Sequence, residues 1–162
     1  MNDVTEPSGE RYIPTLMSPD VAVEHWHRYA VAARFVAGRR VLDIASGEGY
    51  GSLMLARTAA SVLGVDIDAE TVAEARRRYV RDNLAFAEGS AAAMPLPDAS
   101  VDVVVSFETL EHHDQHEEMF REIRRVLAPG GLCIVSTPDR AIYSERTGYR
   151  NPFHVRELSA AE

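Results

Sequence analysis

The sequence predicts an α/β fold built on a doubly wound, mainly parallel sheet. Short apolar segments alternate along the chain with segments of helical periodicity. The apolar segments are hydrophobic at consecutive positions, as is typical of strands that lie buried between two layers of helices. A glycine-rich turn follows the first of these segments, where such folds bind nucleotide-like ligands.

The predicted elements follow one another in a single domain. We expect residues 1–17 to form an irregular arm and residues 18–162 to form the domain. Ser18 and Pro19 are typical of an N-cap and a first helical position, so the first helix begins there. Asp68 is predicted to cap a later helix, and residues 114–117 to form a capping box for another. Five strands are predicted, at residues 40–45, 61–65, 84–87, 101–106 and 132–136.

Composition excludes several functions. The formal charge of −8 over 162 residues argues against a nucleic acid as the main partner, because phosphate binding needs clustered basic side chains. The single cysteine, Cys133, excludes a disulfide framework and a cysteine-based zinc site. The apolar segments are too short to span a membrane, and residues 1–14 lack the apolar stretch of a secretory signal. We therefore expect a cytoplasmic protein that has no membrane partner.

The glycine-rich turn is the strongest functional signal. Residues 41–52 read VLDIASGEGYGS, and the glycines of this stretch are Gly47, Gly49 and Gly51. Asp66 closes the next strand, where an acidic side chain binds ribose hydroxyls in dinucleotide folds. The glycine spacing is G-x-G-x-G, and Asp43 precedes it inside the strand. A carboxylate there would repel a pyrophosphate, so it favours a ligand that carries an ammonium group.

These stretches resemble a known family. DIASGEGYG and GVDID resemble the first two signature motifs of class I S-adenosylmethionine (SAM)-dependent methyltransferases of the type 11 and type 12 kind. FAEGSAAAMPLPDASVDVVVS and EIRRVLAPGGLCIVSTPD agree with the later motifs in order. The resemblance covers roughly residues 10–158. Within the family, the sequence is similar to bacterial members that accompany polysaccharide glycosyltransferases. The resemblance implies a Rossmann-like fold with SAM as the cofactor.

The resemblance also implies roles for individual residues. Asp43 would help to hold the amino-acid end of SAM, Asp66 would bind the ribose, and Ile67 would pack on the adenine. Many members bond the adenine amine with an aspartate where this chain has Ser90. The predicted cofactor-binding residues are Asp43, Ala45, Gly47, Gly49, Asp66, Ile67, Ser90 and Ala91.

A second informative segment, SFETLEHH at residues 106–113, leaves the fourth strand. Glu108, Glu111 and His112 can converge, and carboxylates with an imidazole suit either acid–base catalysis by Glu108 and His112 or a divalent metal. Solvation of a polar loop ahead of a helix is the third interpretation. The spacing resembles the metal motif of small-RNA 2′-O-methyltransferases and ubiquinone-pathway O-methyltransferases. That resemblance implies Mg²⁺ or a similar ion on Glu108, Glu111, His112 and His154.

The first helix contributes weaker candidates. Tyr29 or Arg11 is expected to touch the methionine part of SAM or the acceptor. The alternative is an ordinary amphipathic helix that leaves Tyr29 and Trp26 partly buried. His113 and His116 are expected at the surface.

The sheet of the family is longer than the one predicted here. The family has seven strands, the first five in the order 3-2-1-4-5, so the C-terminal strands are expected to be missing and the chain to be a fragment or a shortened member. LCIVS, the fifth strand, would then be an uncharged edge. We expect residues 137–162 to cover that edge, or two copies to associate through it. The acceptor side of the crevice is expected to be open.

The predicted function is methyl transfer from SAM to an oxygen of a small-molecule or sugar-like acceptor. The sulfonium is already activated, so the protein mainly aligns the acceptor and removes its proton. The alternative is a non-catalytic SAM-binding or scaffold domain. An NAD-dependent oxidoreductase is disfavoured by Asp43 and by the glycine spacing.

Overall fold

The computed structural model describes residues 19–162, and side chains from residue 23 onward. The predicted arm, Arg11 and Ser18 lie outside the described residues. The helices are α1 (Pro19–Ala32), α2 (Tyr50–Leu55), α3 (Ala69–Arg78) and α4 (His116–Val126). The strands are β1 (Arg40–Ile44), β2 (Ser61–Asp66), β3 (Leu84–Glu88), β4 (Val101–Phe107) and β5 (Leu127–Ser136). Every helix within residues 19–162 is too short or too polar to serve as a membrane span.

The five strands form one sheet in the order β3-β2-β1-β4-β5, and all four pairings are parallel. This confirms the predicted fold class and strand order. The carboxyl ends of the strands therefore meet at one edge of the sheet, and the loops that follow them can share one crevice.

Side chains of successive strand residues enter two different cores. Val103 and Val105 of β4 pack on one face, in the cluster that contains Tyr29 of α1 and Leu55 of α2. Val104 packs on the other face with residues of α4. Because strand side chains alternate between faces, a run of valines supplies both cores and the sheet is covered on both sides.

Two predicted helix caps have different outcomes. Asp68 caps α3 as predicted, since its carboxylate accepts the N–H groups of Glu70 and Thr71 at 2.9 and 3.1 Å. The capping box at residues 114–117 is wrong, because α4 begins after Gln115 with no side-chain cap hydrogen bond. His116 is buried instead of exposed, with its Nε2 2.7 Å from the carbonyl oxygen of Leu110.

The segment after β5 turns back over the carboxyl edge of the sheet. It contains a π-helical turn at Ala141–Glu145 and a single bridge between Asp139 and Leu158. The N–H groups of Val155 and Arg156 donate to the carbonyl oxygen of Glu111 at 2.7 and 3.2 Å. This segment therefore lies beside the loop that leaves β4.

Candidate functional site

A cavity of about 540 Å³ lies at the carboxyl edge of the sheet, a size typical of small-molecule sites. The loops that follow β1, β2, β3 and β4 line it together with the segment after β5. We call the side formed by Ala45, Gly47, Asp66, Ile67, Ser90 and Ala91 the cofactor half. We call the side formed by Glu108, Glu111, His112, Tyr143, Asn151 and His154 the acceptor half.

Gly47 presents bare backbone to the cavity. Its φ of +51° lies in the left-handed region, and a Cβ built there would meet nothing within 4 Å. Ala45 adopts a similar φ of 58° although it carries a side chain. The turn thus exposes the main chain of Ala45 and Gly47 to the cavity beside Asp66.

The other two glycines of the turn are required by packing. A Cβ on Gly49 would lie 2.7 Å from the ring of Phe86, and one on Gly51 would lie 2.0 Å from the ring of Tyr29. Gly49 is buried and is absent from the lining of the cavity. The structure therefore differs from the predicted cofactor contact of Gly49, because Phe86 occupies the space beside it.

Asp66 lies at the junction of the turn and the next loop. Its carboxylate accepts the N–H of Gly47 at 2.8 Å and that of Asp68 at 3.0 Å. Ile67 follows with 75% of its surface exposed, which leaves an apolar face for a planar ring. Ser90 and Ala91 line the same half, and the hydroxyl oxygen of Ser90 accepts the N–H of Ala92.

Asp43 lies behind the turn and is absent from the cavity wall. It is fully buried, and it accepts hydrogen bonds from the hydroxyls of Ser52 at 2.6 Å and Tyr29 at 3.2 Å. Burial raises the pKa of Asp43 to about 7, although the bonds from Ser52 and Tyr29 act in the opposite direction. The predicted help of Asp43 in holding the amino-acid end of SAM would therefore act through the turn and not by contact with the cavity, because Tyr29 and Ser52 enclose the carboxylate.

Tyr29 lines the cavity within an aromatic cluster. Its ring meets the rings of Tyr50 and Phe107 edge to face, with centroids 5.5 and 5.0 Å apart. Tyr50 and Phe107 line the cavity too, and no motif in the sequence indicates either of them. The alternative interpretation of this helix leaves both Tyr29 and Trp26 partly buried. Trp26 is 52% exposed, whereas Tyr29 is buried, with 5% of its surface exposed. The position of Trp26 on the outer face of α1 keeps it away from the cavity.

Three of the four predicted metal ligands converge. Glu111, His112 and His154 each offer one ligand atom, and these atoms lie within 4.8 Å of one another. Glu108 lines the cavity outside this group, because its carboxylate pairs with Arg28 at 3.2 Å and accepts the hydroxyl of Ser136 at 2.8 Å. The predicted four-ligand arrangement is thus replaced by one carboxylate and two imidazoles.

Neighbouring groups hold the three converging side chains. Nδ1 of His112 lies 3.2 Å from the carbonyl oxygen of Phe153, and Nδ1 of His154 lies 2.5 Å from Glu157. Glu111 is buried and accepts the hydroxyl of Thr137 at 2.9 Å. Burial raises the pKa of Glu111, and the nearby charge of Glu108 acts in the same direction.

The acceptor half is more enclosed than the sequence predicts. Pro138, Tyr143, Asn151 and His154 come from the segment after β5 and line the cavity. The ring of Tyr143 stacks on His154 with centroids 5.3 Å apart. Of these residues the sequence predicts only His154 at the site. The segment has no hydrophobic period that would indicate the other three. His113 also lines the cavity and is half-buried, which corrects the surface position expected for it.

The chain is similar to known proteins along most of its length. A family described as a methyltransferase domain matches residues 42–135. A probable S-adenosylmethionine-dependent methyltransferase of Mycolicibacterium smegmatis is 45% identical over 96% of this chain and 60% of its own length. A fatty-acid O-methyltransferase of the same organism is 34% identical over 70% of this chain and 42% of its own length.

The fold has solved relatives as well. The YcgJ protein of Bacillus subtilis superposes with a TM-score of 0.74 at 27% identity, over 85% of this chain and 64% of that one. The chain spans about 60% of the length of the Mycolicibacterium relative to which it is 45% identical. The sequence match, the sheet order and the turn beside Asp66 agree, and the chain belongs to the class I SAM-dependent methyltransferase family.

Proposed function

We propose that the chain binds SAM in the cofactor half, and that the whole protein is a cytoplasmic enzyme that methylates an oxygen of a small-molecule or sugar-like acceptor. The observation that carries the proposal is the bare backbone of Gly47 beside the carboxylate of Asp66. The name of the fatty-acid O-methyltransferase relative supports oxygen as the methylated atom.

The residues of the cofactor half fit the chemistry of SAM. The Asp66 carboxylate can accept ribose hydroxyls, since each of its oxygens has lone pairs beyond the one used by a backbone N–H. The exposed side chain of Ile67 offers apolar surface to the adenine. Bound SAM supplies an activated methyl group and leaves as the neutral thioether S-adenosylhomocysteine (SAH).

In the acceptor half, His112 is the proposed proton acceptor. The Phe153 carbonyl beside Nδ1 favours the tautomer with the proton on that nitrogen, which leaves the lone pair on Nε2. A hydroxyl that reaches Nε2 can then lose its proton as its oxygen gains the methyl group. Glu108, which Arg28 holds in place, would orient the same hydroxyl.

Isothermal titration with SAM, SAH and NAD tests the cofactor. We expect SAM and SAH to bind and NAD not to bind. Asp66→Ala should weaken SAM by about 1–3 kcal/mol, as a lost charged hydrogen bond does. Asp82→Ala, at an exposed position away from the cavity, is the control and should leave the affinity unchanged. Binding of NAD without any response to SAM would reject the proposal.

A divalent cation is the second proposal for the acceptor half. One buried carboxylate and two imidazoles within 4.8 Å form a donor set that divalent metals accept. The two roles exclude each other at His112, because a nitrogen that binds a metal cannot also take a proton. Titration with Mg²⁺ and Mn²⁺, with His154→Ala as the variant, separates them. If methyl transfer continues at the same rate in the presence of a chelator, the result supports His112 as a proton acceptor and not as a metal ligand.

A non-catalytic SAM-binding domain is the rival function. Transfer of labelled methyl groups to a panel of hydroxyl compounds decides between the two. SAM binding without transfer by this chain supports the rival, and transfer to any acceptor in the panel rejects it.

A further inference from the structure

His154 has a hydrogen-bond partner at each of its two ring nitrogens. Nδ1 lies 2.5 Å from the carboxylate of Glu157, and Nε2 lies 3.0 Å from the side-chain nitrogen of Asn151. The side chains of His154 and Glu157 are only 7% and 10% exposed, so little water competes for the contact between them. The two contacts together decide which ring nitrogen carries the proton.

The orientation of the Asn151 amide follows from a third contact. Its oxygen accepts the N–H of Phe153 at 3.0 Å, so its NH₂ group is the part that faces His154. An NH₂ group only donates, so Nε2 of His154 must supply a lone pair. The ring proton of a neutral His154 is then on Nδ1, where the carboxylate of Glu157 accepts it. Both neighbours therefore select the same tautomer.

Glu157 is itself held in place. The hydroxyl of Ser144 donates to its Oε2 at 2.5 Å, which leaves Oε1 for His154. The ring of His154 is fixed from two further sides, since Tyr143 stacks on it and His112 meets it edge to face with centroids 5.2 Å apart. Glu157 is absent from the wall of the cavity, whereas His154 lines it. We therefore expect Glu157 to act on a ligand through His154.

We propose that His154 binds a hydroxyl of the methyl acceptor through its Nε2 lone pair, and that Glu157 is the positioning residue that keeps this lone pair available. The amide of Asn151 donates to Nε2 in this structure, so a hydroxyl, which donates in the same way, can take its place. A carboxylate behind an imidazole fixes its tautomer and strengthens the other nitrogen as a lone-pair donor. The inference rests on the proposed function, because it assumes that the acceptor lies in the acceptor half.

The tautomer of His154 can be measured without any ligand. Long-range proton–nitrogen NMR spectra distinguish a protonated ring nitrogen from one that carries a lone pair, and the His154→Ala variant identifies the signals. At about pH 8, above the ordinary pKa of histidine, we expect a protonated Nδ1 and an unprotonated Nε2. Free histidine favours the opposite tautomer, so this result would reflect the protein. Protonation of Nε2 in the wild type, alone or together with Nδ1, overturns the inference.

Variants connect the tautomer to Glu157. Glu157→Gln keeps the size of the side chain but has only one acceptor oxygen for Ser144 and His154, so we expect the opposite tautomer of His154 to appear. Ser144→Ala removes the other hydrogen bond of the same carboxylate and should leave the tautomer unchanged. Glu145→Gln removes the same charge at a position that is 64% exposed and should also leave it unchanged. Circular dichroism checks that each variant is folded. A tautomer that persists in Glu157→Gln overturns the role of Glu157.

Kinetics test the contact with the acceptor. For a hydroxyl compound that this chain methylates, Glu157→Gln should raise KM about tenfold, as the loss of such an outer partner does. The value of kcat should fall less, because His112 keeps its own contact with the carbonyl of Phe153 and still takes the proton. Glu145→Gln should change neither constant.

The outcomes separate the inference from the proposed function. An unchanged KM in Glu157→Gln overturns the binding role of His154, while methyl transfer itself stands. If SAM binds and no hydroxyl compound is methylated, the proposed transfer fails and the binding role of His154 fails with it. The tautomer measurement then still decides whether Glu157 positions His154.

Discussion

The hydroxyl oxygen of Tyr29 lies 3.2 and 3.3 Å from the two carboxylate oxygens of Asp43. This contact joins α1 to the end of β1, directly beneath the turn that exposes Gly47. Both side chains are buried, so neither can exchange its partner for water without opening the structure. The first helix is therefore held to the strand beneath the cofactor turn by a polar contact within an apolar core.

Tyr29→Phe should destabilise the protein by about 1–2 kcal/mol, because a buried carboxylate loses one of its donors. Urea denaturation followed by circular dichroism measures the change. Tyr149→Phe removes a hydroxyl from an exposed ring and should leave the midpoint unchanged. Equal midpoints for Tyr29→Phe and the wild type would show that Ser52 alone satisfies Asp43.

Asp43→Asn should change how stability depends on pH. The folded pKa of Asp43 is about 7 and its unfolded value is about 4, so the folded state holds the proton between these values. The free energy of unfolding therefore decreases as pH rises from 4 to 7, by at most about 1.4 kcal/mol per pH unit. Asparagine does not titrate, so the variant should lose this decrease and exceed the wild type at pH 8.

Chemical denaturation at several pH values measures this dependence. Asp82→Asn, at an exposed position, should retain the wild-type slope. If the Asp43→Asn curve runs parallel to the wild type between pH 4 and 7, Asp43 does not carry the raised pKa.

The fold was predictable because its signals are local. Consecutive apolar residues such as Val103 to Val105 predict a buried parallel strand, and Asp68 caps a helix through N–H groups two and three residues ahead. The position of a candidate site residue was predictable where that position depends on the residue's own loop. The backbone of Gly47 and the carboxylate of Asp66 are such cases, since both follow directly from strand ends.

The positions of the other site residues depend on contacts with residues that are distant in sequence. No local sequence pattern indicates such contacts. Asp43 is enclosed because Tyr29 arrives from α1. Glu108 lies outside the group of Glu111, His112 and His154 because it pairs with Arg28. The wall at Tyr143 forms only when the chain after β5 returns to the loop that follows β4. Each of these contacts joins segments that are far apart in sequence.

Gly47→Ala and Gly49→Ala should affect different properties. Alanine at Gly49 combines a φ of +80° with a Cβ 2.7 Å from Phe86, so it should cost about 2–4 kcal/mol of stability. Alanine at Gly47 meets no neighbour and should cost about 1 kcal/mol, but its methyl group enters the cavity and should weaken SAM binding.

Gly130→Ala is the matched control for Gly47→Ala. Its φ is +79° and a Cβ there also meets nothing within 4 Å, yet it lies outside the cavity. Thermal denaturation and SAM titration of all three variants give the comparison. A Gly130→Ala variant that lost as much SAM affinity as Gly47→Ala would remove the argument for a ligand beside Gly47.

Asp68→Ala should destabilise the protein by about 0.5–2 kcal/mol, because two N–H groups at the start of α3 lose their acceptor. Gln115→Ala changes the residue at the same position of α4, where the side chain makes no cap hydrogen bond. It should change the unfolding midpoint little. A loss of stability at Gln115 equal to that at Asp68 would mean that helix capping is not the cause.

The strand β5 lies at an edge of the sheet. Within the described residues β5 pairs on one side only, with β4, and the returning segment bridges Asp139 to Leu158 instead of adding a strand. Residues 132–136 carry no charge and no proline, which are the usual means of preventing pairing between chains.

We therefore predict that this chain associates through β5 as its concentration rises. Light scattering after size-exclusion chromatography should show the average mass increasing with concentration. In hydrogen exchange, the outward-facing amides of residues 132–136 should gain protection over the same range, because a second strand would satisfy them. Amides of β3, at the opposite edge of the sheet, serve as the internal control and should not change. A constant monomer mass with unprotected β5 amides at every concentration would show that the returning segment shields this edge well enough without a partner.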